Sequence, residues 1–260
     1  MEDFTNVIEH FVNKKGYISD DNCEGVIFYG SRSTGFYNEQ SDIDLQIIFN
    51  NHPLMRGVCT FEGYRFEFFE KTLGDLYGRA NHDYHHQSNV MLSMIGNGIT
   101  IFDRNGKIQE LKEYVKKLYS HPLLPLTQVE DNEQAVIIAN RLLDLKKLCL
   151  NNDPYFNRLY HLTIEKIRKY YYQRNGYPEI STSKVLYLYS NPAYSEVIDK
   201  VMPSEEFKQM LFDSLDESKS YLEKYKLAED MFNYAKQGNN LDLNNFLIPI
   251  KPRNKELKKT

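Results

Sequence analysis

Gly30-Ser31-Arg32-Ser33-Thr34-Gly35-Phe36-Tyr37-Asn38-Glu39-Gln40-Ser41-Asp42-Ile43-Asp44 is the stretch on which the reading of this chain turns. The apolar run before it, Val26-Ile27-Phe28-Tyr29, reads as a buried strand closed by a glycine. A second run follows, in which Ile43, Leu45 and Ile47 alternate before Ile48 and Phe49. Side chains alternate along a strand, so Asp42 and Asp44 share one face while the isoleucines and leucine take the other, where a core would lie. The small residues at 30, 31, 33 and 35 allow a tight turn. Its backbone N–H groups can face a phosphate, with Arg32 beside them. Two acids a few residues past such a cradle suit divalent cations carrying a nucleoside triphosphate.

Either half of this pattern alone is common: Gly-Ser after a strand is usually a turn, and Asp-x-Asp usually caps or solvates something. The joint order is more specific: apolar strand, Gly30-Ser31, spacer, Ser41-Asp42-Ile43-Asp44, apolar strand. It resembles the signature of the DNA polymerase β-like nucleotidyltransferase superfamily.

Outward from that stretch, the composition is that of an ordinary globular chain, with 41% hydrophobic and 26% charged residues over 260 positions. This length predicts two domains. A net charge of -4 gives no whole-chain bias toward a polyanion such as DNA or RNA. No apolar run approaches the ~20 residues needed to span a bilayer. Met1-Glu2-Asp3-Phe4 is acidic and lacks the basic and apolar regions of a signal peptide, so a cytoplasmic location is expected. Cys23, Cys59 and Cys149 are scattered, which argues against a disulfide framework or a zinc knuckle. Of the 20 tyrosines, Tyr170-Tyr171-Tyr172 reads as amphipathic rings at a domain or subunit boundary rather than as a base-stacking platform.

Phe4, Ile8, Phe11 and Val12 are at helical spacing, and Gly16 stops that helix. Beyond the signature, 58–61 and 64–69 read as a hairpin about Glu62-Gly63. In its second strand Glu67 alternates with Phe66 and Phe68. A carboxylate buried unpaired in so aromatic a strand costs several kcal/mol, so Glu67 needs a metal or a neighbouring strand as partner; Arg65, two residues away, splays outward. Residues 72–97 read as mainly helical. His82 and His86, four apart, have a zinc-compatible spacing, but no third ligand is evident and a polar helix face is the expectation. A strand at 99–102 and a helix at 107–119 complete an alternating pattern of helix and strand. The prolines at 122 and 125 mark a boundary. Everything beyond reads as helix: 129–150, with Val136, Ile137, Leu142, Leu143, Leu145 and Leu148 as its apolar positions; 154–174, carrying Phe156, Leu159, Leu162, Ile167 and Tyr171; then 183–189, 193–201, 204–214 and 216–237. The basic tail from Lys251 reads as a solvated end. The expected fold is thus an α/β (α+β) catalytic domain with a mixed sheet over 1–120, followed by an all-α helical bundle over 121–260.

That order looks like the kanamycin (aminoglycoside) nucleotidyltransferase branch of the superfamily. The resemblance implies transfer of a nucleoside monophosphate, AMP from ATP, to a hydroxyl of an aminoglycoside-type antibiotic, and so a role in antibiotic resistance. It also implies Mg²⁺ held by Asp42, Asp44 and a third carboxylate on an adjacent strand, matched by Glu67 with Glu70 as fallback. Gly30, Ser31, Arg32 and Ser41 would bind the nucleotide. A base from the first long helix of the helical domain is matched by Asp144, for which a solvated face pairing with a lysine is the plain alternative. A homodimer is implied as well. Three other readings share the motif: an RNA-end-modifying enzyme, an AMP-transferring antitoxin acting on a protein, and a non-catalytic nucleotide-binding protein.

Overall fold

In the computed structural model, which describes residues 4–121, 123–177, 185, 190 and 203–243, the alternation around Asp44 becomes the middle of a five-stranded sheet. The strands are β1 (Cys23–Tyr29), β2 (Ile43–Phe49), β3 (Met55–Phe61), β4 (Tyr64–Thr72) and β5 (Ile99–Asp103). Their order is β3-β4-β2-β1-β5. Strands β2 and β4 run parallel and the other neighbours antiparallel, so the sheet is mixed, as expected. The β3–β4 hairpin turns at Glu62 and Gly63, both at positive φ as a tight hairpin requires. Folding back on β3, β4 is laid beside β2, and that places two separate stretches of sequence side by side.

The two faces of the sheet are covered differently. Ile43, Leu45, Ile47, Phe66 and Phe68 point to one face and pack on α1 (Thr5–Lys14) through Phe4, Ile8, Phe11 and Val12. Each such side chain contributes about 1.5–3 kcal/mol by leaving water. On the opposite face Ile27 and Ile48 lie under α3 (Leu73–His85) and α4 (Lys107–Tyr119), which contribute Leu76, Ala80, Ile108, Leu111 and Val115. Thr72 caps α3 in a reciprocal hydrogen-bonded box with Asp75. The helical reading of 72–97 holds for α3 and then breaks. Gln87 takes φ +57, and the backbone resumes as one π-type turn at Leu92–Gly96.

Among the described residues, one compact unit lies within 4–124 together with 177, 185 and 190, and the other within 125–176 and 203–243. The second is helical: α5 (Gln128–Leu150), α6 (Phe156–Arg174), then Glu205–Asp213 and Tyr221–Ala235, here α7 and α8. Thr127 and Glu130 form a capping box at the start of α5. The buried stripe of α5 is Ala135, Ile138, Leu142, Leu145 and Cys149, spaced three and four apart. Ile137 and Leu143, read from the sequence as core, are exposed; the helical phase selects Ala135 and Cys149 instead. Leu162 of α6 is likewise exposed. Tyr170, Tyr171 and Tyr172 are buried: Tyr171 stacks on Phe207 of α7 at 3.8 Å and Tyr170 packs on Phe232 of α8. The helix expected at 193–201, most of 183–189 and the tail from Lys251 lie outside the described residues. The three cysteines are free, and no helix among the described residues is long and apolar enough to cross a membrane.

Candidate active site

At the end of β1 the chain must turn within one residue to bring the loop back over the sheet. Gly30 does so at φ +85, ψ −164, a conformation closed to other residues. A Cβ built there would lie 2.1 Å from Asp44 Oδ2, so the glycine also leaves the space that the Asp44 carboxylate uses. A single helical turn, α2 (Ser31–Thr34), follows. The Ser33 hydroxyl donates to the Gly30 carbonyl at 2.9 Å, and the Thr34 hydroxyl to the Ser31 carbonyl at 2.9 Å. These two hydroxyls hold the turn. Ser41 accepts a hydrogen bond from the Asn38 backbone N–H at 3.0 Å and so closes the loop just before Asp42.

Arg32 departs from the sequence reading, which set it against a phosphate. Its guanidinium lies buried among Phe4, Tyr37 and Tyr64, 4.8–5.4 Å from their ring centres. Its Nε donates to the Ser41 carbonyl at 2.7 Å and its Nη2 to the Glu39 carbonyl at 3.2 Å. The aromatic cage draws the planar cation inward, and Arg32 braces the loop that presents Asp42.

Strand register assembles the acids. Asp44 is paired with Glu67 on β4 and with Tyr29 on β1, and Glu67 with Val58 on β3. Paired residues point to one face, so Val58, Glu67, Asp44 and Tyr29 form a row across four strands. Asp42 stands one residue before the paired Ile43 and Phe66, hence beside Arg65. Arg65 ion-pairs with Asp42 Oδ2, while Asp42 Oδ1 is buried with no hydrogen-bond partner. Arg56 on β3 reaches Glu67 at 2.7 Å. The arginines are 63% and 57% exposed and their acids only 17% and 16%. Pairs this open to water contribute about 0–1 kcal/mol each, so these hold the acids only loosely. Burial first, then the charges of Asp44 and Glu67, push the Tyr29 phenol well above its ordinary pKa, with Arg56 opposing. Tyr29 therefore stays protonated at neutral pH, as a donor facing the acids.

Glu70, the fallback carboxylate, lies on the other face. It accepts from the Tyr17 hydroxyl at 2.6 Å and meets His52 Nε2 at 2.6 Å, which gives it a structural place in the back-face core. Asp144 on α5 is 63% exposed and pairs with Lys147 at 3.0 Å. His82 and His86 stack at 4.0 Å on the outer side of α3.

Among the described residues no three His, Cys, Asp or Glu side chains are gathered closely enough to hold a metal ion as they stand. The donor chemistry around Asp44 nevertheless fits a hard divalent cation: carboxylate oxygens in one row, with a buried Asp42 oxygen that lacks any donor. Tyr29, Arg56 and Arg65 are the neighbours of this row that the sequence reading did not place in the site. Period-two parity with Glu67 marks Arg65; the others depend on which strands pair.

No curated protein matches this chain. Among solved structures, a nucleotidyltransferase-like protein from Exiguobacterium sibiricum 255-15 is similar over 90% of this chain and 75% of its own, at 11% identity and a TM-score of 0.48. Residues 18–123, which contain the Gly30–Asp44 loop and Glu67, match the family described as the nucleotidyltransferase domain.

Proposed function

We infer that the protein transfers a nucleoside monophosphate, AMP from ATP, to a hydroxyl of a small molecule such as an aminoglycoside-type antibiotic, releasing pyrophosphate. The observation that carries the transfer chemistry is the register of Asp44 with Glu67 beside the unpartnered Asp42 Oδ1, within the stretch that matches the nucleotidyltransferase domain. Asp42, Asp44 and Glu67 would hold the divalent cation, Mg²⁺ in this reading. Bound there, such a cation supplies charge neutralisation at the α-phosphate and a template for in-line attack.

The chain's own residues do the rest. The Gly30 backbone and Ser31 border the triphosphate, and Ser41 with Arg32 keeps Asp42 at its station. The acceptor oxygen forms a bond to the α-phosphorus as the bond to the bridging oxygen breaks, and the pyrophosphate leaves with that electron pair. Asp144 is assigned the acceptor's proton, the role that the family resemblance implies for it. A homodimer and the small-molecule acceptor belong to the same reading, and the net charge of -4 supports it over a nucleic-acid acceptor.

The test is incubation with α-labelled ATP, Mg²⁺ and separate panels of antibiotics, tRNA and proteins, with Asp44→Asn as control. Label on a small molecule, lost in the control, is the expected result. Label on tRNA or protein keeps the chemistry and reassigns the acceptor. ATP binding with no transfer to any panel overturns the enzymatic reading.

A further inference from the structure

The face that carries the acids also carries their counter-charges, and these come from one element. Arg56 and Arg65 lie on the two arms of the β3–β4 hairpin, and each reaches one acid, Arg56 Glu67 and Arg65 Asp42. Neither is built in as a structural cation would be. Arg32 shows the contrast: its guanidinium is buried in an aromatic cage and its donors are committed to carbonyls. Arg56 and Arg65 are more than half exposed, and each makes a single ion pair with a mostly buried carboxylate. Arg56 also lies over the Phe69 ring at 5.4 Å, and Lys71 lies over the same ring at 5.5 Å. The rim of the acidic row is thus basic, on flexible side chains of the same hairpin.

Charge balance shows what such an arrangement does. Three carboxylates on one face of adjacent strands repel one another and would be less stable bare. Two guanidinium groups offset most of that charge while leaving Asp42 Oδ1 without a donor. A divalent cation entering the row supplies the same positive charge at shorter range, and the arginines then lose their partners. The nearest anion that could take them is the polyphosphate that arrives with the cation, which a guanidinium fork binds well.

Resting on the nucleotidyl-transfer reading, we propose that Arg56 and Arg65 are exchangeable place-holders. They neutralise Glu67 and Asp42 while the cation is absent, compete with it for these acids, and pass to the nucleotide's phosphates when it binds. The proposal makes opposite predictions for two ligands of the same site. Removing either arginine should tighten binding of the bare cation and weaken binding of the nucleotide.

The experiment titrates the full-length protein with Mn²⁺ alone, followed by its paramagnetic signal, and separately with ATP in saturating Mg²⁺ by calorimetry. Arg56→Gln and Arg65→Gln should each bind Mn²⁺ about two- to fivefold more tightly than the parent, the range for losing one exposed ion pair. Each should bind ATP about tenfold more weakly, as for a lost charge-assisted hydrogen bond. Both positions are exposed, and matching melting curves would show that the variants are folded. Mn²⁺ affinity unchanged or lower in both variants overturns the exchange, as does unchanged ATP affinity. Asp44→Asn separates the two readings. If it binds Mn²⁺ as the parent does, the cation site itself is misplaced; if it loses Mn²⁺ while the arginine variants change nothing, only the place-holder idea fails.

Discussion

Glu67 and Glu70 lie three residues apart on one strand and meet two different environments. Glu70 points into the back of the sheet, where Tyr17 and His52 each approach it at 2.6 Å and His52 stacks on Phe49. Glu67 points the other way, into a row with Asp44, and its ion-pair partner is an arginine mostly in solvent. A buried acid with fixed partners is expensive to disturb, whereas an acid held by an exposed cation exchanges partners at little cost. The difference arises from the parity of one strand and from which neighbour each face meets. It separates the carboxylate fixed in the back of the sheet from the ones that the proposed function assigns to a ligand.

The comparison breaks first at Asp44. Asp44→Asn removes the acid at the centre of the row, and turnover should fall by at least about 10³-fold, since Lewis-acid stabilisation is worth several kcal/mol. Unchanged melting would show that the loss is chemical; a labelled-ATP assay and a melting curve read both. Asp144→Asn should lower kcat by about 10²–10⁴-fold, the usual contribution of a general base, with ATP affinity nearly unchanged. Normal turnover in that variant removes Asp144 from the mechanism and leaves it a solvated partner of Lys147.

Glu67→Gln should reduce turnover by about 10²-fold, the order found when one charge-stabilising group is lost, with little change in melting. Glu70→Ala should behave in the reverse manner. It orphans the Tyr17 hydroxyl and should destabilise the fold by about 1–3 kcal/mol while per-molecule activity is retained. If Glu70→Ala abolishes transfer and Glu67→Gln does not, the two roles are exchanged.

How much of this was legible beforehand depends on how local the cause is. The loop from Gly30 to Asp44 could be read because its parts are adjacent: a strand, a turn needing glycine, and two acids whose parity is set by the strand itself. The mixed sheet followed by helices was legible from the alternation of periods. Pairing was not. That β4 lies parallel to β2 and brings Glu67 opposite Asp44 is a tertiary result of the hairpin folding back, and only the family resemblance suggested it. Arg56 was invisible for the same reason. The burial of Arg32 was not legible either, because its cage comes from Phe4, Tyr37 and Tyr64, which no local pattern joins to it. On α5, hydrophobicity pointed to Leu143, whereas helical phase buries the smaller Ala135 and Cys149.

The central claim is that Asp42, Asp44 and Glu67 together bind the cation that carries the nucleotide. The most direct measurement is a crystal structure with Mn²⁺ and a non-hydrolysable ATP analogue, read by the anomalous signal of the metal. The account predicts a peak bonded to oxygens of all three acids and of the triphosphate, with Arg56 withdrawn from Glu67. A peak held by phosphates alone, with Arg56 still on Glu67 and Arg65 still on Asp42, would contradict it.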